Sequence, residues 1–145
     1  MMTEKSAGFI LITDDFETTD YSVLLLHYTS GHWDFPKGNI ETNETELEAA
    51  TRELQEETGI ESFRVIPSFR YVLDYKYTRR NVLISKQVTL FLASTGVRKV
   101  KISHEHIGYS WVKKSDATTQ LTYKNAKNAL MQAINFLEKP SSNIL

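Results

Sequence analysis

Three glutamates lie close together in the middle of the chain, shortly after a Pro-Lys-Gly turn. On a helix with 100° per residue, Glu56 and Glu57 fall at about −60° and +40° from Glu53, so all three side chains point into one sector. At an effective dielectric constant near 20, two such charges about 5 Å apart repel each other by roughly 3 kcal/mol. A hard divalent cation, which takes oxygen ligands, would reverse the sign of that cost. The spacing therefore predicts a metal site.

A solvated acidic face is the alternative, since most acidic runs on helices are nothing more. Leu47 and Leu54 fall about 100–120° from Glu53 and give the helix a separate apolar side for packing. Small Ala49 and Ala50 leave room for a ligand, and glycines bound the segment at both ends. These features favour the metal-site interpretation.

The acidic helix is predicted over residues 44–58, where Gly59 ends it. Apolar runs at 7–13 and 21–28, separated by an acidic turn, are predicted to be paired strands. Residues 30–37 are expected to form a loop. Strands are predicted at 63–77, 82–95 and 109–112, and an amphipathic helix at 122–138. Because many strands accompany two well-separated helices, we predict an α+β fold with the layers of an α/β/α sandwich.

Length and composition indicate one globular domain over residues 1–145, with a tail at 139–145 that we expect to be flexible. The 145 residues include no cysteine, which excludes disulfides, thiolate metal sites and a cysteine nucleophile, and fits a reducing compartment. A net charge of −1 shows no basic excess for nucleic-acid binding. No apolar run reaches the ~20 residues of a membrane span, and no signal peptide is evident. We therefore expect a cytoplasmic protein.

Residues 38–60 resemble the Nudix box, G-x5-E-x7-R-E-U-x-E-E-x-G-U, in which U is aliphatic. Every fixed position of the box is matched, by Gly38, Glu44, Arg52, Glu53, Leu54, Glu56, Glu57, Gly59 and Ile60. The resemblance implies a mixed sheet clamped between helices. It also implies hydrolysis of nucleoside diphosphates linked to another group, with Mg²⁺ or Mn²⁺ as cofactor.

The resemblance implies a role for each box residue by its position. The carboxylates of Glu53, Glu56 and Glu57 and the carbonyl of Gly38 would bind the metal, and Glu53 could also accept a proton. Arg52 would orient a neighbouring glutamate through a charge-assisted hydrogen bond. A plain surface ion pair is the alternative for that arginine.

Two acids lie near the predicted start of the helix. Glu44 suits the helix dipole there, and we expect it to cap the helix or support a ligand instead of binding metal. Glu46 falls on the acidic sector but two turns earlier than the others, and we expect it to be solvated.

A further candidate comes from the segment SHEHIGYSW at residues 103–111. Glu105 matches a glutamate outside the box that in the Nudix family commonly completes the metal site or acts as general base. Glu53 and Glu105 are therefore alternatives for the base. His104 and His106 are predicted to alternate on one strand face, but no further zinc-type ligands accompany them.

Three regions, HWDFPKGNIE, SHEHIGYSW and LTYKNAKNAL, resemble the asymmetrically cleaving diadenosine tetraphosphate hydrolases of that family. In these enzymes water attacks the fourth phosphate from one adenosine and gives ATP and AMP. The resemblance implies that Lys37, His32 and Lys86 contact phosphates, and that Tyr75 and Tyr123 stack on an adenine. An exposed lysine, a structural histidine and cross-strand tyrosines are the alternatives.

Three functional hypotheses follow. The leading one is a metal-dependent hydrolase of a small-molecule dinucleoside polyphosphate, acting as a monomer with no protein partner implied. The second keeps the fold and the metal but acts on triphosphorylated RNA 5′ ends or another capped nucleotide. The third is a non-catalytic nucleotide-binding domain, which the complete set of box glutamates disfavours. The pair Asp34-Phe35 departs from the subfamily's usual Thr-Pro and leaves the base preference open.

Overall fold

The structure is a computed structural model that describes residues 2–17 and 20–139. Its elements follow in the order β1 (Met2–Thr13), β2 (Ser22–Tyr28), β3 (Trp33–Asp34), β4 (Lys37–Asn39), α1 (Glu46–Thr58), β5 (Arg64–Arg79), β6 (Val82–Thr95), β7 (His106–Lys113), α2 (Lys114–Gln120) and α3 (Lys124–Glu138). Within these described residues, seven strands form one sheet in the order β3-β2-β1-β6-β5. β4 pairs with β1, and β7 pairs with β2.

Both faces of the sheet are buried because β1 alternates its side chains between two helical layers. Ala7, Phe9 and Leu11 pack in one cluster with apolar residues of α1. Ile10 and Ile12 point to the opposite side and pack with residues of α2 and α3. The mixed sheet therefore lies between helices, which confirms the predicted α+β sandwich.

The main partner of β1 is β6, whereas the sequence predicted pairing with β2. β1 runs parallel to β6 along its whole length, from Met2 beside Ile84 to Thr13 beside Thr95. It also pairs antiparallel with β2 at Ile12 and Val23, as predicted, but only at that end. Because β6 is a long partner, β1 begins five residues before the predicted start at residue 7.

The acidic helix is confirmed, with a more precise start. Thr45 is its N-cap and forms a capping box with Glu48, since the Thr45 side chain accepts from Glu48 N and the Glu48 carboxylate accepts from Thr45 N. Glu44 therefore lies outside the helix. Gly59 ends the helix at φ 73°, a left-handed conformation that glycine adopts without strain.

Four details of the predicted elements were wrong. Helix α2 follows β7 directly and was not predicted, and its single buried residue is Ala117. The predicted loop at 30–37 contains the two-residue strand β3. β7 begins at His106, while His104 lies in a turn, so the two histidines do not share a strand face. α3 begins at Lys124 instead of residue 122. The predicted flexible tail lies, apart from Lys139, outside the described residues.

Candidate active site

Strand β4 brings the Pro-Lys-Gly turn against the acidic helix. β4 pairs with β1 through Gly38 and Ala7. A Cβ atom added to Gly38 would overlap the carboxylate of Glu53. A side chain at position 38 would therefore require the Glu53 carboxylate to move from its present position.

Arg52 links the start of the box to the helix. Its Nε donates to Glu44 Oε2 at 2.7 Å, and its NH1 group donates to Glu53 Oε2 at 2.9 Å and Glu56 Oε1 at 3.1 Å. Its NH2 group donates to the carbonyl of Asn39 in β4 at 2.9 Å. These bonds, that to Glu44 above all, raise the pKa of Arg52. One guanidinium thus ties three glutamates to strand β4.

Glu57 is a buried carboxylate, with 3% of its surface exposed. Its Oε1 accepts a hydrogen bond from the backbone N–H of Lys37 at 3.1 Å. Burial, and then the neighbouring charge of Glu53, raise the pKa of Glu57 to about 8. Burial also raises the pKa of Glu53, although the hydrogen bond from Arg52 opposes that shift. Burial and neighbouring negative charges therefore disfavour the ionised forms of both carboxylates.

An acidic cleft of about 460 Å³ opens beside these carboxylates. Its lining includes five predicted residues besides Gly38, namely Lys37, Glu53, Glu57, Lys86 and Glu105. The backbone carbonyl of Glu105 accepts from Thr29 N at 3.0 Å, which holds its loop at the cleft. The side chain of Glu56 is 60% exposed and does not line the cleft. The structure thus gathers the predicted acids on one side, with Glu56 at the outer edge.

The two lysines of the cleft each face a carboxylate. Lys37 Nζ lies 3.7 Å from Asp34 Oδ2. Burial lowers the pKa of Lys37, but the charge of Asp34 and smaller effects outweigh it, so the pKa is raised. Lys86 Nζ lies 3.7 Å from Glu4 Oε1, and burial lowers the pKa of Lys86. Both cations are positioned where an anion in the cleft would meet them.

An aromatic pocket of about 540 Å³ adjoins the cleft and shares Lys37 with it. Tyr75 and Tyr77 of β5 and Tyr123 at the start of α3 line it. The polar groups at its lining include His32, whose pKa is lowered by burial. The predicted residues His32, Tyr75 and Tyr123 are therefore brought together around one cavity.

Comparison with known proteins agrees with this architecture. Residues 2–133 match the model of the NUDIX domain. The chain belongs to the Nudix family. It is 35% identical to the asymmetrical bis(5′-nucleosyl)-tetraphosphatase of Rattus norvegicus, over 94% of this chain and 97% of that enzyme. A crystal structure of a C. elegans Ap4A hydrolase binary complex superposes with a TM-score of 0.76, at 27% identity, and covers 92% of this chain and 97% of the other.

Part of the chain also matches an enzyme named for a different activity. The RNA pyrophosphohydrolase of Stenotrophomonas maltophilia is 41% identical over 83 residues, which are 50% of this Nudix chain and 40% of that enzyme. The tetraphosphatase match, by contrast, covers almost the full length of both chains.

The Nudix carboxylates fit a hard divalent cation by their chemistry. In the described part of the chain, no three His, Asp or Glu side chains are already arranged as a metal-binding group. However, Glu53, Glu57 and Glu105 line one cleft, and burial raises the pKa of Glu53 and of Glu57. Oxygen ligands of this kind suit Mg²⁺ or Mn²⁺.

Sequence reasoning missed several neighbours of the site in this Nudix chain. Tyr28 lines the cleft and donates from its hydroxyl to the carbonyl of Phe35 at 2.8 Å. Asp34 is buried beside Lys37, and His106 is buried beside Glu57. No periodicity marks these residues, because their burial depends on contacts between distant segments.

The expectation that Glu46 is solvated was wrong. Arg70 donates to its carboxylate from Nε at 3.0 Å and from NH2 at 2.9 Å. The hydroxyl of Thr89 also donates to it at 3.0 Å. Glu46 therefore joins α1 to strands β5 and β6, a partnership that helix spacing alone does not reveal.

Proposed function

We propose that this Nudix chain hydrolyses diadenosine tetraphosphate asymmetrically, to ATP and AMP. The observation that carries the proposal is the joining of the acidic cleft to the aromatic pocket through Lys37. An adenine of the substrate could occupy the pocket while its phosphate chain passes Lys37 and reaches the carboxylates of the cleft. The near full-length similarity to an asymmetrical tetraphosphatase supports the same substrate.

The metal site of the proposal consists of Glu53, Glu56, Glu57 and Glu105, with the carbonyl of Gly38. When bound, Mg²⁺ or Mn²⁺ would neutralise phosphate charge and make water a stronger nucleophile. Arg52 fixes Glu53 and Glu56 by its hydrogen bonds, and so holds two of these carboxylates in place before a cation arrives.

The reaction needs one proton acceptor. Water attacks the fourth phosphorus from one adenosine, a new P–O bond forms there, and the bridging P–O bond of the leaving nucleotide breaks. Glu53 or Glu105 would take the proton of the attacking water, since both line the cleft. Base catalysis by a positioned side chain contributes roughly 10²- to 10⁴-fold.

The remaining predicted residues would hold the substrate. Lys37 and Lys86 would bind the phosphates as point charges, and His32 could donate to a phosphate oxygen from the edge of the pocket. Tyr75 and Tyr123 would stack on the base, at about 1–3 kcal/mol per ring. The dinucleotide is a free small molecule in this proposal, bound by a monomer in the cytoplasm. Within the described residues, no helix combines the length and apolarity needed to cross a membrane.

Product analysis with diadenosine tetraphosphate in ¹⁸O-water tests the proposal. We expect ATP and AMP in equal amounts with Mg²⁺ or Mn²⁺. The ¹⁸O should appear in a single product, because water attacks one phosphorus. ADP as the main product would contradict asymmetric cleavage, and the absence of turnover with either metal would remove the assignment.

RNA 5′-end hydrolysis is the second candidate, favoured by the partial match to an RNA pyrophosphohydrolase. The phosphate chemistry is the same, so the box residues do not discriminate between the two substrates. Kinetics can distinguish them, by comparing kcat/KM on diadenosine tetraphosphate with kcat/KM on a triphosphorylated oligoribonucleotide. We expect the dinucleotide to be preferred, because the chain has a net charge of −1 and no basic excess to draw in RNA.

A further inference from the structure

His106 is a buried histidine whose two ring nitrogens have different surroundings. Its side chain has no exposed surface, and its ring packs edge-on against Tyr28 at 4.5 Å between centroids. Nδ1 lies 2.9 Å from the hydroxyl oxygen of Ser103. Nε2 has no hydrogen-bond partner among the described residues, and it lies 3.9 Å from Glu57 Oε1.

The hydrogen bonds of Ser103 indicate which nitrogen carries the proton. The Ser103 hydroxyl oxygen accepts from the backbone N–H of Glu105 at 3.3 Å. The Ser103 proton is not used in that bond and can be donated to His106 Nδ1. A neutral imidazole with Nδ1 as acceptor carries its hydrogen on Nε2. A hydrogen on Nε2 would lie near Glu57, whose Oε1 is 3.9 Å from that nitrogen.

An unpaired donor this deeply buried is unfavourable, so a carboxylate oxygen close to it is significant. Glu57 Oε1 is 3.9 Å away, a little too far for a hydrogen bond, and it is already held on another side by Lys37 N. A shift of Glu57 by less than 1 Å towards His106 would satisfy both groups. An ionised carboxylate would attract the N–H more strongly than a protonated one.

We propose that His106 is a positioning residue that donates a hydrogen bond from Nε2 to Glu57 and so fixes this carboxylate for cation binding, with Ser103 setting the tautomer. The same residue follows Glu105 directly and begins β7. It therefore joins the loop that carries Glu105 to the helix that carries Glu57. The inference rests on the proposed function, because it takes both glutamates as metal ligands.

Mn²⁺ titration of the nucleotide-free protein by calorimetry provides the first test. His106→Asn keeps a polar group near the Nδ1 position but loses the donor towards Glu57, whereas His106→Gln can place an amide N–H near Nε2. Supporting hydrogen bonds of this kind typically change metal affinity 10- to 100-fold, so we expect the Kd for Mn²⁺ to rise about tenfold in His106→Asn. The Kd of His106→Gln for Mn²⁺ should stay closer to that of the parent protein. His104→Asn, in the adjacent exposed turn, is the matched control and should not change the Kd.

The tautomer itself provides a second test that needs no variant. In protein labelled with ¹⁵N-histidine, two-bond ¹H–¹⁵N correlations should show the proton of His106 on Nε2. Addition of Mg²⁺ should move that proton downfield as the bond to Glu57 shortens. Ser103→Ala should weaken the preference of the His106 proton for Nε2 over Nδ1. A proton on Nδ1 in the parent protein would overturn the inference even if His106→Asn fails to fold.

The outcomes separate the two proposals. If the parent protein binds Mn²⁺ and cleaves diadenosine tetraphosphate, but folded His106→Asn binds Mn²⁺ with the parent's Kd, only the role of His106 is wrong. If the parent protein neither binds Mn²⁺ nor cleaves the dinucleotide, the proposed function is wrong and the role of His106 with it.

Discussion

Glu57, a ligand in the proposed metal site, is buried in surroundings that disfavour its ionised form. A carboxylate with 3% exposure, next to Glu53, loses water and gains a like-charged neighbour. Its only hydrogen bond within the described residues comes from Lys37 N. A bound cation would supply the missing positive charge directly.

Replacing Glu57 by glutamine tests this interpretation at the level of catalysis. Glu57→Gln keeps the size and the acceptor for Lys37 N but removes the charge of a proposed ligand. We expect kcat for diadenosine tetraphosphate to fall by at least about 10²-fold. Glu61→Gln, an exposed residue just beyond α1, is the control and should retain parental turnover. Near-normal turnover in Glu57→Gln would overturn the ligand assignment.

The raised pKa of Glu57 also predicts how stability depends on pH in the metal-free protein. In the folded protein the pKa of Glu57 is raised to about 8, so its carboxyl group stays protonated at neutral pH. An unperturbed glutamate has a pKa of 4.5. Between these values the folded state binds more protons than the unfolded state, so stability falls as pH rises. One pKa unit corresponds to about 1.4 kcal/mol, so the loss amounts to a few kcal/mol.

This pH dependence can be tested by measuring the free energy of unfolding in urea at pH 5 and pH 8.5. The parent protein and Glu57→Gln are compared, both in EDTA. The parent should lose stability relative to the variant as pH rises, and replacing EDTA with Mg²⁺ should reduce that loss. A constant difference in unfolding free energy across this range would contradict the raised pKa.

At the scale of elements, the contact between β4 and α1 assembles the site. Pairing with β1 fixes β4, and the capping box with Gly59 fixes the ends of α1. Arg52 then connects the helix to the carbonyl of Asn39 in β4. At Gly38 an added side chain would collide with the Glu53 carboxylate.

Gly38→Ala tests that close approach. The added methyl group should displace the Glu53 carboxylate, lower kcat by about tenfold or more, and weaken Mn²⁺ binding, since a 1 Å misplacement can cost 10²-fold. Gly108→Ala in β7 is a matched control, because its Cβ would meet only the Cβ of His27 at an ordinary 3.9 Å. Parental kcat and Mn²⁺ affinity in Gly38→Ala would show that the contact is not needed.

At the scale of the whole molecule, the two halves of the site come from opposite sides of the fold. α1 packs on one face of the sheet and supplies the acids. The aromatic pocket lies at the other face, between β5, β6 and the start of α3. Lys37, in the short strand β4, lines both. In the proposed function, base binding and phosphate hydrolysis would therefore take place on opposite faces of the sheet, with Lys37 between them.

Tyr123→Ala tests the aromatic half separately. If stacking is equal in the ground and transition states, KM should rise about tenfold with little change in kcat, which matches roughly 1–3 kcal/mol per stacked ring. Tyr109→Ala in β7 removes a ring of similar exposure, 41% against 52%, away from the pocket. An unchanged KM in Tyr123→Ala would assign that ring a structural role.

The acidic helix, its end at Gly59 and the α+β class follow from the amino-acid sequence alone. The positions of Glu53, Glu56 and Glu57 on one sector follow from helix geometry alone, and strand-forming runs mark the sheet without any partner. Near full-length matches to known Nudix enzymes agree with those inferences.

Contacts between residues far apart in the chain become known only from the folded structure. The parallel pairing of β1 with β6, the bond from Lys37 N to Glu57, the partners of Glu46 and the burial of His106 all join segments far apart in the chain. Helix α2, with one buried residue, has no strong local pattern of its own. Local spacing fixes the direction of a side chain within its element, but burial and pairing depend on packing between elements, and no periodicity encodes that packing.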